Sequence, residues 1–414
     1  MRSVGAAARR TFSALQVRNF RLYFIGQFIS ISGTWMQSVA QAWLVLKLTN
    51  SGIDLGIVAA LAFVPMLVAG SFGGLIVDRF PKRNILYVTQ SAAGLLALAL
   101  GLLTAFDHPT VWDIYVLAFL LGIVNLFDLP ARQAFVQEMV GRDLMANAVS
   151  LNSVLVNAGR IAGPALGGIL IATLGISACF FVNAGSFVAV LLALVLMRGA
   201  DLHPIRRVGR EKGQVRAGLR YAFAHKEIRN ILIAVGVVGV FTFNFPLTLP
   251  LLVRQTFHAG AAEYGFFTAM MGVGAIFGGL FVAHRSRPSA VLLTAICFLF
   301  GVTVLLVALA PGQRLVALAL IPTGAASIAF IATANAALQL LSAEEMRGRV
   351  MALYSICFLG STPIGAPLMG VACAIWNPRI ALAIGAAAAF VGALVLGRAA
   401  RTKNIDEHEL PVEN

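Results

Sequence analysis

Long apolar runs, most of them free of charge, recur along the whole chain, and the ionisable residues gather in the short segments between them. Each run can cross a hydrocarbon core of about 30 Å as a helix rising about 1.5 Å per residue. Inside a bilayer every backbone N–H and C=O needs an internal partner, so such runs fold as helices. The pattern predicts twelve spans: Tyr23–Leu46, Leu55–Val77, Ile85–Phe106, Val111–Val136, Val149–Leu174, Ile176–Met197, Ile231–Val253, Tyr264–Val282, Ala290–Ala310, Leu315–Leu341, Val350–Ile375 and Ile380–Leu396. The fourth is interrupted towards its end by Asp128, Pro130 and Arg132. An even number of spans puts both termini on one side.

Composition agrees. Of 414 residues, 59% are hydrophobic and 12% charged, against roughly 45–50% and 25% in soluble domains. The 40 glycines suit close helix packing in lipid. A formal charge of +14 would suit nucleic acid, but the basic residues sit at helix ends and in short loops, with no basic domain. Topology explains them better. One set of loops holds Arg79, Lys82, Arg83, Arg142, Arg285, Arg287, Arg347 and Arg349, besides the basic N-terminal arm, the middle segment and Arg398, Arg401 and Lys403. The opposite loops hold Lys47, Arg254, Arg314 and Arg379. The positive-inside rule then makes both termini cytoplasmic. Residues 1–21 read as a cytoplasmic arm, with no small-residue cleavage site behind a short apolar core.

Near mid-chain the longest loop, 198–230, carries Val215, Leu219, Tyr221 and Ala222 alternating with Arg216, Arg220 and Lys226 at helical spacing. This predicts a basic amphipathic helix on the inner membrane surface. The loop divides the chain into an N-terminal half, 22–197, and a C-terminal half, 231–397, followed by a cytoplasmic tail, 398–414. The halves repeat. Gly73–Arg79 matches Gly278–His284, and Ser153–Gly168 matches Ser355–Gly370, with Gly163 against Gly365 and Gly168 against Gly370. The expected fold is all-α, with twelve transmembrane helices in two pseudo-symmetric six-helix halves.

Gly74, Asp78, Arg79, Lys82 and Arg83 stand at the spacing of glycine, three residues, Asp-Arg, two residues and two basic residues. This resembles the signature loop between helices 2 and 3 of the major facilitator superfamily. Gly74 permits close helix approach, and Asp78 can meet the positive N-terminus of a neighbouring helix. Topology alone accounts for Lys82 and Arg83 but not for an acid among them. Gly159, Arg160, Gly163, Pro164, Gly167 and Gly168 resemble the superfamily's helix 5 antiporter motif, which occurs mostly in exporters. Asn19-Phe20-Arg21-Leu22-Tyr23, Gln27, Trp35-Met36-Gln37, Leu48-Thr49-Asn50-Ser51, Pro130–Phe135 and Arg347–Tyr354 are similar to the branch that contains the enterobactin exporter. The likeness implies secondary active efflux of a siderophore, macrolide or similar amphiphile from a bacterial cytoplasmic (inner) membrane, with the proton gradient as the expected drive. An importer or lipid transporter of the same fold, and a non-transporting sensor or scaffold, are the alternatives.

Polar residues inside a span are expensive and informative. Arg160 falls about halfway along helix 5, where it serves substrate or coupling, or else a structural ion pair or hydrogen-bond network. Asp128 is the only acid well inside an apolar span, near the cytoplasmic end of helix 4. Arg132 follows one turn later. The two form a local anchoring pair, or Asp128 is a proton-titrating or gating acid. Helix 1 lacks the acid that many proton-coupled drug exporters carry, which leaves Asp128 as the main coupling candidate. Gln27, Thr34 and Gln41 lie at heptad spacing with Ser30, Gln37 and Ser38 beside them. This stripe reads as a cavity lining for a small-molecule substrate in preference to hydrogen bonds with helix 5. Asn244, before Pro246, and Asn335 with Gln339 are further substrate-binding candidates. Phe241, Phe243 and Phe245 either wall the cavity or face lipid. No GxxxxGK[ST] loop marks an ATPase, and no HExxH or GxSxG marks an enzyme. Cys179, Cys297, Cys357 and Cys373 lie in apolar runs without metal-ligand spacing, so no metal or cofactor is expected.

Overall fold

A computed structural model describes residues 12–106, 109–203, 214–285 and 289–406, with the side chains of 71, 72, 75, 214–217 and 399–406 outside the description. Most of the N-terminal arm, the middle of the 198–230 loop, Arg287 and the end of the tail therefore lie outside the described residues. No strand occurs among those described. The helices are α1 Arg18–Thr49, α2 Gly52–Arg79, α3 Lys82–Ala105, α4 Val111–Val140, α5 Met145–Leu174 and α6 Ile176–Leu196. The linker helix α7 Gln214–Ala224 follows, then α8 Lys226–Phe241, α9 Phe245–Leu251, α10 Ala261–His284, α11 Ala290–Leu309, α12 Gln313–Leu341, α13 Glu344–Leu359, α14 Thr362–Ile375 and α15 Pro378–Asp406.

Eleven helices or helix pairs among the described residues are long and apolar enough to cross a membrane. The twelfth is α1. Its 32 residues are ample, but Gln27, Ser30, Ser32, Thr34, Gln37, Ser38 and Gln41 dilute its apolar character. Val88, Leu95, Leu192, Leu306 and Leu318 are exposed along the spans, where lipid, and not water, is the matching solvent.

Two of the expected spans are broken. The seventh runs as α8, then Thr242–Asn244, then α9 and a π-helical turn at Leu252–Thr256. Pro246 stands in the first turn of α9, where its missing N–H is tolerated. Side chains bind carbonyls around the break: Asn244 Nδ2 donates to Val240 O at 2.7 Å, and Thr242 Oγ1 donates across to Gly385 O of α15 at 2.8 Å. The eleventh starts at Glu344, six residues before the expected Val350, and breaks between α13 and α14 at Gly360-Ser361. Pro363 opens α14, and Ser361 Oγ donates to Phe358 O at 2.6 Å.

Two compact units are present: 1–50, 61–209 and 260–269, and 51–60, 210–259 and 270–414. In the first, glycines let backbones touch. A Cβ on Gly122 would lie 2.7 Å from Ala62 O, and one on Gly73 would lie 2.8 Å from Leu126 O. The second unit repeats this between α10 and α12, where Gly274, Gly278 and Gly324 abut Ile321 O, Ala325 O and Met271 O. Gly73 and Gly278, aligned by the sequence repeat, thus do the same work. At the end of α1, Asn50 adopts φ 49°, a left-handed cap that asparagine tolerates. Linker helix α7 packs against α13 within the second unit: Gly218 lies against Arg349, Ala222 is buried, and Tyr221 accepts from Ala343 N at 3.1 Å. Leu219, Arg220 and Phe223 are exposed.

Candidate functional site

The first unit contains a buried ionic network built by three helices. Asp128 is 2% exposed. It stands twelve residues before the end of α4, about 18 Å of helix rise, so it is deeper than its expected place at the helix end. Its Oδ2 accepts from Arg132 Nε at 3.1 Å and Nη2 at 2.5 Å, the i,i+4 pair expected from sequence. Its Oδ1 accepts from Thr89 Oγ1 at 2.7 Å and Gln90 Nε2 at 2.6 Å on α3. Arg132 Nη1 reaches Gln27 Oε1 of α1 at 2.5 Å. A desolvated charge pair is tolerated only when its remaining polar atoms are bonded. Here α1 and α3 supply those bonds. Beside the network, Tyr23 OH, Gln27 Nε2 and Gln90 Oε1 are buried without a hydrogen-bond partner.

The polar stripe of α1 does not form one surface. Gln27 and Gln37 are buried. Gln27 holds Arg132, and Gln37 accepts from Asn183 Nδ2 of α6 at 2.6 Å. Thr34 is exposed and donates to Ser30 O at 2.9 Å, and Gln41 is half-buried. Seven residues of a straight helix fall about 20° short of two turns, and Gln37, outside the heptad set, points to a different neighbour from Gln27. The glutamines thus make interhelical bonds, but to α4 and α6 and not to helix 5.

Helix α5 docks on α1 through its glycines. A Cβ on Gly159 would lie 2.6 Å from Ile31 Cγ2, one on Gly163 2.5 Å from Ser32 O, and one on Gly167 3.2 Å from Met36 Cγ. Gly168 faces Ala262, and Pro164 O lies against Gly265. The repeat reproduces both contacts in the second unit, where Gly365 abuts Val240 O and Gly370 abuts Gly52 O. Arg160, the sixteenth residue of α5, stacks its guanidinium 5.1 Å from the Trp35 ring centre. Its Nε is buried without a hydrogen-bond partner.

The helix 2–3 motif divides into caps and a free acid. Lys82 Nζ donates to Val77 O at 2.8 Å, closing the end of α2. Arg83 Nη2 donates to Leu194 O at 2.5 Å and Met197 O at 3.2 Å, closing the end of α6. Arg83 therefore has a structural partner that topology alone did not foresee. Asp78 and Arg79 are exposed at the end of α2. In the second unit Asn244 is buried at the α8–α9 break. Asn335 is half-buried and accepts from Gln339 Nε2 at 2.6 Å along the same helix. Phe243 packs internally, its ring centre 5.3 Å from Phe300 and 5.4 Å from Phe358. Asn183, Thr89 and Gln90 were not singled out by the sequence, although each is a polar residue within an apolar run. Among the described residues no group of three or more His, Cys, Asp or Glu could hold a metal.

The profile of the transmembrane secretion effector family matches residues 9–413. The enterobactin exporter EntS of Shigella boydii is 26% identical over 388 residues, 91% of this chain and 90% of its own length. The multidrug efflux pump Tap of Mycolicibacterium fortuitum is 29% identical, covering 82% of this chain and 85% of Tap. The staphyloferrin A transporter of Staphylococcus aureus is 27% identical over 63% of this chain and 66% of its own length, just under two thirds. In fold, the nucleoside transporter NupG superposes with a TM-score of 0.69 at 13% identity, covering 92% of this chain and 98% of NupG. A bacterial homologue of the lysosomal transporter Spinster gives 0.70 at 13% identity, covering 92% and 95%.

Proposed function

Because this chain belongs to the transmembrane secretion effector family of major facilitator transporters, we propose that it exports small amphiphilic molecules, siderophore-like or drug-like, by proton-coupled alternating access. It is a multi-pass membrane transporter and not an enzyme. The relatives named for enterobactin export and multidrug efflux support the direction and the class of cargo. The proposed setting is a bacterial cytoplasmic membrane with both termini cytoplasmic, two six-helix halves and the 198–230 segment joining them, as the distribution of Lys and Arg suggests.

The observation that carries the coupling reading is Asp128. It is a carboxylate buried deep in a span and held by Thr89 and Gln90 of α3 and Arg132 of α4 through exchangeable hydrogen bonds, with Gln27 of α1 joined to it through Arg132. Such acids commonly mark proton pathways. Protonation would cancel the charge that holds Arg132 and free Arg132 and Gln27 to re-pair. That is a change in helix contacts driven by one proton. A membrane potential contributes about 2.3 kcal/mol per charge per 100 mV to such a cycle.

Everted vesicles test the proposal. Gradient-driven uptake of a fluorescent amphiphile is expected in wild type and lost in Asp128→Asn, with energy-independent exchange retained. Wild-type gradient-driven uptake by Asp128→Asn would refute the coupling role. Movement in the opposite direction in oriented proteoliposomes would make the chain an importer, and no movement of any probe would favour a sensor or scaffold.

A further inference from the structure

We propose that Arg160, Ser32 and Trp35 form a recognition subsite for a solute carboxylate carried on a flat apolar body. Arg160 leaves α5 between two glycines, Gly159 and Gly163, that bring its backbone against Ile31, Ser32 and Trp35 of α1. Its guanidinium lies over the Trp35 ring. Neither a carboxylate nor a carbonyl accepts from Arg160 among the described residues, and its Nε is buried and unpartnered. This contrasts with Arg132, which has Asp128 and Gln27, and with Arg83, whose Nε is also unpartnered but whose Nη2 has three carbonyls.

Ser32 is the second observation. Hydroxyls in apolar helices usually donate to the carbonyl one turn back, as Thr34, Ser38, Thr49, Ser150 and Ser153 do here. Ser32 Oγ is buried and has no partner. Two unpaired donors and an aromatic face thus lie along the contact between α1 and α5. A planar carboxylate accepts from a guanidinium in a matched geometry, with stronger bonds than a neutral group makes. An aromatic body can share the Trp35 face.

Lipid phosphate is the other source of an anion. Arg160 is the sixteenth of the 30 residues of α5, so about 20 Å of helix separates it from either end. Headgroups lie near the ends of a span, whereas a solute in transit passes the middle. The subsite is therefore assigned to solute. The assignment of that solute as cargo rests on the export reading above, but its binding does not.

The test uses the full chain in phosphatidylcholine nanodiscs and titrates 1-naphthoate and its neutral twin 1-naphthamide, with empty discs as reference. Naphthoate is expected to bind roughly tenfold tighter or more, the worth of a charge-assisted pair. Arg160→Gln should bring the ratio to about one by weakening naphthoate alone, and Ser32→Ala should weaken naphthoate a few-fold. Equal affinities in wild type, no binding of either probe, or a preserved ratio in Arg160→Gln would overturn the proposal. Should Arg160→Gln fail to fold, an unchanged naphthoate affinity in Ser32→Ala would overturn it instead. Loss of naphthoate binding in discs containing phosphatidylglycerol would assign the site to lipid and overturn it too. Charge-selective binding without transport would strike the export reading alone. Gradient-driven transport that ignores the carboxylate would strike this one alone.

Discussion

Asn19 and Arg198 exchange two hydrogen bonds: Asn19 Nδ2 donates to Arg198 O at 2.9 Å, and Arg198 N donates to Asn19 Oδ1 at 3.0 Å. The clamp joins the start of α1 to Arg198, two residues past the end of α6. Arg83 binds Leu194 O near the end of α6 and Met197 O just past it. Asn19 is 1% exposed, so its removal leaves backbone groups without their partners. Asn19→Leu and Arg83→Met are each expected to cost about 1–3 kcal/mol. Thermal unfolding in detergent should show this as a lowered midpoint with transport selectivity unchanged.

The Asp128–Arg132 pair gives a test with the opposite logic. Arg132→Met leaves a carboxylate buried without its counter-charge, at about 3–5 kcal/mol. Combining it with Asp128→Asn removes the charge that was stranded. The double variant should be more stable than Arg132→Met alone, and thermal stability in detergent reads this directly. A double variant less stable than both singles would show that the pair is not the organising contact. Gln27→Leu, which deletes a neutral bond to Arg132, should cost less than Arg132→Met.

Glycine positions separate close contact from mere smallness. Gly163 and Gly365 each sit against a backbone carbonyl, whereas nothing lies within 4 Å of a Cβ built on Gly185. Gly163→Val and Gly365→Val are expected to destabilise by about 1–3 kcal/mol or more through overpacking. Gly185→Val should stay near wild type. Yield of monodisperse protein after size-exclusion chromatography would report both outcomes.

Asp78 is expected to act on the transport cycle and not on folding. It is exposed at the end of α2, and the matching position in the repeat is Ala283. Asp78→Asn should express normally, raise the inward-open population and slow uptake by proteoliposomes. A contact of about 1–2 kcal/mol with a helix N-terminus would shift a two-state equilibrium some 5- to 30-fold. Substitutions at Ala283 or His284 should do much less. Distances between spin labels on α2 and α13 measure the shift, and an unchanged distribution would exclude the gating role.

Hydrophobic length made the helices legible in the sequence, because a span of lipid sets a minimum that residues can be counted against. Repeat glycines were legible for a similar reason: backbone contact admits no substitute for a missing side chain. Partner identity was not. Gln27 belongs to the ionic network only because α4 brings Arg132 to it, and spacing along α1 carries no record of α4. Ser32 was not singled out by the sequence, and its lack of a back-bond is a property of the folded contact with α5. The break at Thr242–Asn244 did leave a trace in Asn244 and Pro246. The break at Gly360-Ser361 had Pro363 beside it, but prolines also occur inside unbroken helices here, as Pro65 and Pro164 show.

Those two breaks have a mechanical consequence. Their counterparts in the first half of the repeat, α1 and α5, run unbroken for 32 and 30 residues. A continuous helix resists bending along its length, whereas a gap in its hydrogen-bond ladder concentrates bending at one point. The two halves share an ancestry of sequence but not a stiffness. Compliance belongs to the C-terminal one, and amide exchange should find its fastest buried protons around Thr242 and Ser361 while the middle of α1 stays protected.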